Sequence, residues 1–394
     1  MSRRKGRYER RQQKREAKKQ HLKQYDDFNN VISLKSMYKS AKKAACGVSW
    51  KASVQRYILA ILFRITHTRQ DLLKEKDIRQ GFIEFDINER GKVRHIKSVH
   101  FNERVVQKSI CLNAMNPILL NSVIYDNAAS QKGKGTHFAL NRVTDYLHWH
   151  YRHYGNKGYV LSIDFKSYFE SIPHDVLKEN FRRKFKDTKI IKLLDDFVDA
   201  FGERGLGLGS ETSQINAVVH TDRIDHYIKE VERIKGFRKY MDDNIIIHPD
   251  KGYLQELLWE LKDLYAEVGV TLNQKKTHIS DLKHGFTFLK TRFFLTDTGK
   301  VIKKPCRERI TAARRKLKKQ AKLYQQGLMT LDDIKQSYIS TRGSFVHKNA
   351  RRTIHNLDML YKKLFEKEYK NDTGNTGNEA KQDTGVCRSV TAEG

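Results

Sequence analysis

The sequence predicts an α+β chain. Three observations carry that expectation. Short β-rich runs at 159–164, 237–248, 286–289 and 292–295 are separated by longer stretches with helical spacing. Leu254, Leu257, Leu258, Leu261, Leu264, Tyr265 and Val268 form one helical stripe, which Gly269 closes. From Arg307 onward the chain reads as helical and strongly basic. Its 394 residues are enough for two or three domains, at roughly 100–200 residues each.

The first 24 residues carry eleven Lys and Arg against two acids, Glu9 and Glu16. Such a segment cannot bury a core alone. It reads either as a solvated, partly helical arm or as an arm that orders on nucleic acid. Residues 54–65 are apolar enough for a buried helix. Gly91 divides two extended pieces, 82–87 and 92–99, as a hairpin turn does. Helices are expected over 105–120 and 138–151. A buried strand at 159–164 ends in a carboxylate, and a mostly helical stretch covers 176–201. Gly202, Gly205, Gly207 and Gly209 open a helix that runs to about Val231. Two β runs then surround Asp242 and Asp243. Beyond the two last strands, Ile310, Ala313, Leu317, Ala321 and Tyr324 mark one face of a basic helix. Gly327 stops it, and Thr330 with Asp333 starts the next as a capping box. Residues 371–394, rich in Gly, Thr, Asn, Asp and Glu, are expected to form a disordered tail.

Lys and Arg number 77 and Asp and Glu 46, a formal net charge of +31. Self-repulsion on that scale opposes the compact state, so the composition points to a polyanionic partner. Nucleic acid comes first and an anionic membrane surface second. A metabolic dehydrogenase or a secreted enzyme of acidic substrates fits poorly. Cys46, Cys111, Cys306 and Cys387 lie far apart with no CxxC pair. That excludes a disulfide framework and a zinc ribbon and suits a reducing, cytoplasmic setting. No run approaches the ~18 apolar residues of a membrane span, so no membrane insertion is expected.

The chemistry lies in the carboxylates. Asp164 ends an apolar strand, and Asp242 and Asp243 sit at the bend of an apolar hairpin. Burying an unpaired carboxylate is costly, and three converging ones repel unless a cation joins them. Divalent magnesium fits, because it binds one or two carboxylates together with substrate phosphates. An Asp-rich hairpin turn without a metal is the other reading of Asp242 and Asp243. Asp195 and Asp196 lie in a helical context and read as a solvated face. His148, His150 and His153 share no single helix face and suggest no metal site.

The flanking segments add a resemblance. Tyr240-Met241-Asp242-Asp243 between β runs resembles the YxDD box of reverse transcriptases. The run from Tyr159 through Asp164 to Phe169 resembles the preceding palm strand of that family. The segment from Gly205 through Gly209 to Ala217 is similar to its Gly-rich template and nucleotide loop. Leu272-Asn273-Gln274-Lys275-Lys276-Thr277 resembles the lysine-bearing box, and the segment from Gly285 to Lys290 the primer-grip hairpin. Upstream, the segments from Gly91 to Arg94 and from Asn102 to Gln107 are similar to the fingers boxes of bacterial, group II intron-like enzymes. Six or more boxes in order, over about residues 80 to 295, make the resemblance specific.

The resemblance implies a right-hand polymerase with fingers, a palm built on an antiparallel sheet, and a helical thumb. The implied layout is a basic arm at 1–30, fingers with N-terminal helices at 31–158, palm at 159–290, thumb at 291–370 and the tail. It implies two Mg²⁺ ions, with Mn²⁺ as a substitute, held by Asp164, Asp242, Asp243 and the backbone carbonyl of Phe165. Lys276, or its neighbour Lys275, would be the general acid toward pyrophosphate. Lys92 and Arg94 would grip the triphosphate; ordinary hairpin-surface charges are their other reading. Phe169 would gate against a 2′-hydroxyl. Leu208, Gly209 and Gln214 would face the nascent pair, and Phe288 and Leu289 would form the primer grip. Arg314, Arg315, Lys318 and Lys319 would track duplex phosphates.

Leu208 stands where the usual loop has Gln, and Gln214 where it has Pro. That pattern resembles the reverse transcriptases of diversity-generating retroelements. Gly207 and Ser210 depart from it, where that family commonly has Pro and Asn. A domesticated enzyme of anti-phage defence is the alternative, and a maturase-like, non-catalytic RNA-binding scaffold a third. The implied partners are an RNA template, its DNA product, dNTPs, and a small accessory protein or dedicated non-coding RNA.

Overall fold

The computed structural model describes residues 2–89 and 91–372. It divides into two compact units. The first comprises Met1–Leu289 with Phe294–Val301, and the second Lys290–Phe293 with Ile302–Gly394.

The first unit contains the expected hairpin. Strands β1 (Phe82–Glu89) and β2 (Lys92–Val99) pair antiparallel, Phe82 opposite Val99. Gly91 adopts the positive φ, 83°, that the tight turn demands. The main sheet is antiparallel and four-stranded. Its members are β3 (Tyr159–Ile163), β4 (Phe237–Tyr240), β5 (Asp243–His248) and β6 (His278–Asp281), in the order β4-β5-β3-β6. In register, Ile163 faces Asn244 and Tyr159 faces His248. Val160, Leu161, Ile163, Ile245, Ile246 and Ile247 are buried, as expected of strands covered on both faces. Helices Thr136–Tyr154 and Lys251–Glu267 pack beside the sheet. The second of these is the predicted stripe, with Leu254, Leu257, Leu261 and Tyr265 buried.

Several local readings change. Residues 54–65 do not form one buried helix. The chain breaks at Ala60 into Ala52–Leu59 and Ile61–Leu73. Val54, Tyr57 and Ile65 are buried, while Leu59, Leu62 and Phe63 face solvent. The run holds more apolar residues than one helix face can cover. The helix Phe101–Ile110 continues as a π-helix, Cys111–Leu120, with Pro117 inside it. The wider winding accommodates a residue that lacks an N–H. Strand β6 had no apolar alternation to announce it. It forms because β3 offers an edge, Leu161 pairing with Ile279. The basic start is helical over Ser2–Lys23, with its side chains from Tyr8 to Gln20 exposed. Packing takes hold before residue 31: Phe28 is buried, and its N–H donates to Asp187 Oδ2 at 2.7 Å.

Strands β7 (Phe286–Phe288), β8 (Thr291–Leu295) and β9 (Val301–Pro305) carry the chain across the division between units. The second unit is a trio of helices, Arg307–Gln325, Leu331–Val346 and Arg351–Asp372. Ala313, Leu317, Ile334, Tyr338, Phe345 and Leu357 form its core. The capping box of Thr330 and Asp333 is present. The expected tail lies outside the described residues from 373 onward, and the last helix extends to Asp372. Among the described residues, no helix is long and apolar enough to cross a membrane.

One charged pair ties the sheet to its helical cover. Lys239 on β4 and Asp225 on helix Asp222–His226 are both fully buried, with Nζ 2.8 Å from Asp225 Oδ2. Lys239 Nζ also donates to Thr221 Oγ1. Removing one member strands a buried charge, so Lys239→Ala should lower unfolding free energy by ~3–5 kcal/mol. The double change Lys239→Met with Asp225→Asn should recover most of that in urea denaturation. Equal losses in both variants would show that the pair is not what holds these elements together.

Candidate active site

The hairpin of β4 and β5 is closed by Met241 and Asp242, with Tyr240 paired to Asp243. Met241 takes a positive φ of 55°. That conformation is costly for a non-glycine residue and persists only where surroundings impose it. Asn244 is buried, and its amide donates to the Asp242 carbonyl at 3.1 Å, which fixes the turn. Asp164 follows the last residue of β3. The register of β3 on β5 therefore brings Asp164 and the turn to the same mouth of the sheet.

Asp164 is held from three sides by a single turn. Asn273 donates through its backbone N–H to the Asp164 carbonyl at 2.8 Å and through its side chain to Oδ1 at 3.2 Å. Thr277 Oγ1 lies 3.3 Å from both the Asp164 amide and its carbonyl. Lys276 Nζ reaches both carboxylate oxygens at 3.0 Å. The turn is self-braced, since Asn273 Oδ1 accepts from the Lys275 amide and its carbonyl from Lys276 and Thr277. Sequence reasoning selected Lys276 here and missed Asn273 and Thr277. Their signal was the spacing of an Asn with a turn-forming side chain, followed at three and four residues by Lys and Thr.

Asp242 keeps an open side to solvent, yet the walls of the mouth desolvate its carboxyl and push it above the usual carboxylate range. The charge of Asp164 adds to the rise, while Lys276 and Arg94 oppose it. Asp164, Lys276 and Arg94 thus all act on Asp242. The three carboxylates do not gather: among the described residues, no group of three or more His, Cys, Asp or Glu is placed to hold a metal ion. Asp242 lies in the turn and the exposed Asp243 begins β5, so the two neighbours leave the backbone in different directions. The donors nonetheless suit a hard cation. The charge of Asp164 raises the cost of charging Asp242, and an ammonium already rests on Asp164. The carbonyl of Phe165 is a further oxygen. Phe165 bridges to Leu272, but the ladder bonds come from Asp164 O and Lys166 N on either side.

Phe169 is half-buried, set edge-on to Tyr168, and its carbonyl accepts from Leu206 at 2.7 Å. The glycine-rich loop is docked on the β1–β2 hairpin. Lys97 N–H donates to the Leu208 carbonyl, and a Cβ on Gly209 (φ 115°) would stand 3.2 Å from Ile96 Cγ2. Gln214 is exposed on helix Glu211–Val219. Arg94 is exposed, and the side chain of Lys92 lies outside the described residues. Sequence reasoning also missed a buried polar chain. Glu103 accepts from Gln107, and Gln107 Oε1 accepts from Ser210 Oγ at 2.8 Å. Burial pushes Glu103 up to about 7. Gln107 and Ser210 line a cleft of about 380 Å³ shared by Arg104, Gly209 and Gln214. Phe288 is buried, and Leu289 and Lys290 both take positive φ in the turn between β7 and β8. Arg314, Arg315, Lys318 and Lys319 are exposed on helix Arg307–Gln325 of the second unit.

Lys276 competes with any ion for Asp164. Lys276→Met should therefore lower the Mg²⁺ concentration that half-saturates a thermal-shift titration, by roughly tenfold for a lost charge contact. Asp164→Asn should abolish the shift. An identical Mg²⁺ response in Lys276→Met and the native chain would mean that the lysine does not guard this carboxylate.

The description "Reverse transcriptase (RNA-dependent DNA polymerase)" matches residues 72–293, more than half of the chain. A search among curated proteins finds no match. Among solved structures, apo telomerase from Candida tropicalis truncated from its C-terminal domain is similar at 16% identity and a TM-score of 0.43, covering 57% of this chain and 55% of that one. Telomerase from Candida albicans in complex with a fragment of telomeric RNA aligns at 12% identity and a TM-score of 0.46, covering 81% and 61%. The chain thus spans little more than half the length of these structures. The matched segment holds the β1–β2 hairpin, the glycine-rich loop, the Asp164 and Asp242 mouth and the Lys276 turn, and the chain belongs to the reverse transcriptase family, RNA-dependent DNA polymerases with a right-hand fold.

Proposed function

We propose that the chain makes cDNA from a dedicated RNA template by two-metal phosphoryl transfer, in a diversity-generating retroelement. The observation that carries the reading is the placement of Asp164, its carboxylate held by Lys276, at the same mouth of the sheet as Asp242, on which Arg94 also acts. The retroelement role rests on Leu208 and Gln214 in the loop docked on the hairpin. An aliphatic Leu208 offers no hydrogen bond to a nascent base pair, which loosens geometric checking. Free Cys46, Cys111 and Cys306 suit a reducing cytoplasm.

Asp164, Asp242, Asp243 and the Phe165 carbonyl would hold Mg²⁺, or Mn²⁺ in its place. Bound there, a pair of ions supplies charge stabilisation to the attacking and leaving oxygens. Arg94, with Lys92, takes the triphosphate. Phe169 lies five residues after Asp164 and presents a ring where a 2′-hydroxyl would collide. Lys276 must leave Asp164 before its ammonium can serve a pyrophosphate leaving group as general acid. Gly209 brings backbone close to the nascent pair, beside Leu208 and Gln214. Phe288 and Leu289 grip the primer, and Arg314, Arg315, Lys318 and Lys319 meet duplex phosphates.

Primer extension on an RNA template with Mg²⁺ tests the reading. Asp242→Ala with Asp243→Ala should cut dNTP incorporation by more than about a thousandfold. Robust synthesis by that variant would overturn the assignment of the site, whereas a native chain that binds RNA but never extends a primer would favour the scaffold reading. Phe169→Ala should raise ribonucleotide use relative to deoxyribonucleotide by at least about tenfold. An unchanged ratio would remove Phe169 from the gate.

A further inference from the structure

A second charged cleft, of about 370 Å³, lies beside β4 on the side away from the Lys239 pair. Its floor is Asp126, nearly buried, which accepts from Arg142 Nε at 2.8 Å, Lys229 Nζ at 2.8 Å and Arg238 Nη1 at 3.0 Å. Arg233 and Lys235 stand exposed at the rim. Five cations therefore line the cleft against two carboxylates, the second being Asp145, 3.9 Å from Arg142. One acid does not balance the charge of the half-buried Lys229 and the buried Arg238, which otherwise donate to the carbonyls of Lys235, Arg142 and Phe237. Burial, then Arg238, pushes Lys229 down to about 8. The cluster therefore keeps an excess of positive charge facing the cleft.

An aromatic stair borders the same cleft. On helix Thr136–Tyr154, Tyr146 and Trp149 stack at 5.3 Å, and Trp149 and His153 at 4.1 Å, both 28° between planes. Lys235 Nζ caps the Trp149 ring at 4.6 Å, and the Arg238 guanidinium lies over Tyr146 at 5.3 Å. Flat rings beside fixed cations are what a strand of unpaired nucleotides requires: the phosphate meets the cations and a base takes the place of Lys235 on the ring. A duplex hides its base faces and gains nothing from such a stair. The cleft is also distinct from the candidate active site. Arg238 precedes Asp242 by four residues, ~13 Å of extended chain, and strand alternation turns it away from Lys239.

We propose that this cleft binds single-stranded nucleic acid outside the synthetic site, with a phosphate at Arg142, Lys229 and Arg238 and a base against Trp149. The site would hold a strand whether or not the chain polymerises, so its failure and that of the polymerase reading are separable.

The test uses the full chain and three probes: a short unstructured RNA, a blunt RNA–DNA duplex and a mononucleotide. Arg233→Glu with Lys235→Glu, and separately Trp149→Leu, should each weaken binding of the unstructured RNA by roughly tenfold, the loss expected for one stacked base. Duplex affinity and single-nucleotide extension of a pre-annealed primer should be unchanged. RNA carrying 4-thiouridine should cross-link to the peptide that holds Trp149. The exposed rim pair guards against misfolding of the Trp149 variant, and a thermal melt verifies both. Unchanged affinity for the unstructured RNA would overturn the proposal. So would an equal loss for duplex, which would mean general electrostatics, or displacement by mononucleotide as effective as by RNA, which would mean a free-nucleotide site.

Discussion

The register of β3 on β5 is the constraint from which the rest follows. Pairing Ile163 with Asn244 commits two carboxylate-bearing chain segments to one end of a sheet whose interior is almost wholly aliphatic. Ile245, Ile246 and Ile247 are buried on both faces of β5, so burial holds the sheet together whatever charge its end carries. Hydrophobic burial thus supports a placement of Asp164 beside the Asp242 turn that electrostatics resists. The surrounding residues absorb the conflict: Lys276 neutralises Asp164, Asn273 and Thr277 hold its backbone, and Asn244 braces the turn that Met241 strains to make. Fold stability and site strain are thus two sides of one arrangement.

The parts legible in the sequence were those written in local pattern. The hairpin around Gly91, strands β3 to β5, the leucine stripe and the capping box of Thr330 all arise from nearest neighbours, and all lie where periodicity put them. The grouping of Asp164 with Asp242 and Lys276 came from ordered motifs. What stayed hidden was long-range. Strand β6 exists because β3 had a free edge, not because His278–Asp281 favours extension. Lys239 looks like a surface lysine in sequence and is fully buried, since its partner stands fourteen positions earlier. The Gln107–Ser210 bond joins residues over a hundred positions apart. The break at Ala60 was missed for a different reason. Apolar content was read as burial, whereas Leu59 and Phe63 face water.

The net charge of +31 resolves into unlike populations. Lysines and arginines from Arg10 to Lys23 of the first helix, and Arg314, Arg315, Lys316, Lys318, Lys319 and Lys322 of helix Arg307–Gln325, are exposed and available to screening counterions or phosphates. Lys239 and Arg238 are interior and Lys229 is half-buried, each held at a fixed distance from a single carboxylate. Lys276 lies between the two classes, exposed along its stem and bound at its tip. A bulk count treats these as one quantity. Their response to salt differs, because only exposed charges are strongly screened.

Strand β4 occupies one edge of the four-stranded sheet. Its outer backbone is not left open. Lys239 N–H donates to the Asp126 carbonyl, and the Lys239 carbonyl accepts from Ala128 N–H, with Asn127 bridged between them. A three-residue stub, too short to be a strand, thereby occupies the positions at which another copy would add itself. Open sheet edges seed edge-to-edge aggregation, most of all during folding, when concentration and exposure are both high. The segment from Asp126 to Ala128 is thus a stopper on this edge, and it denies another copy the β4 side of the sheet.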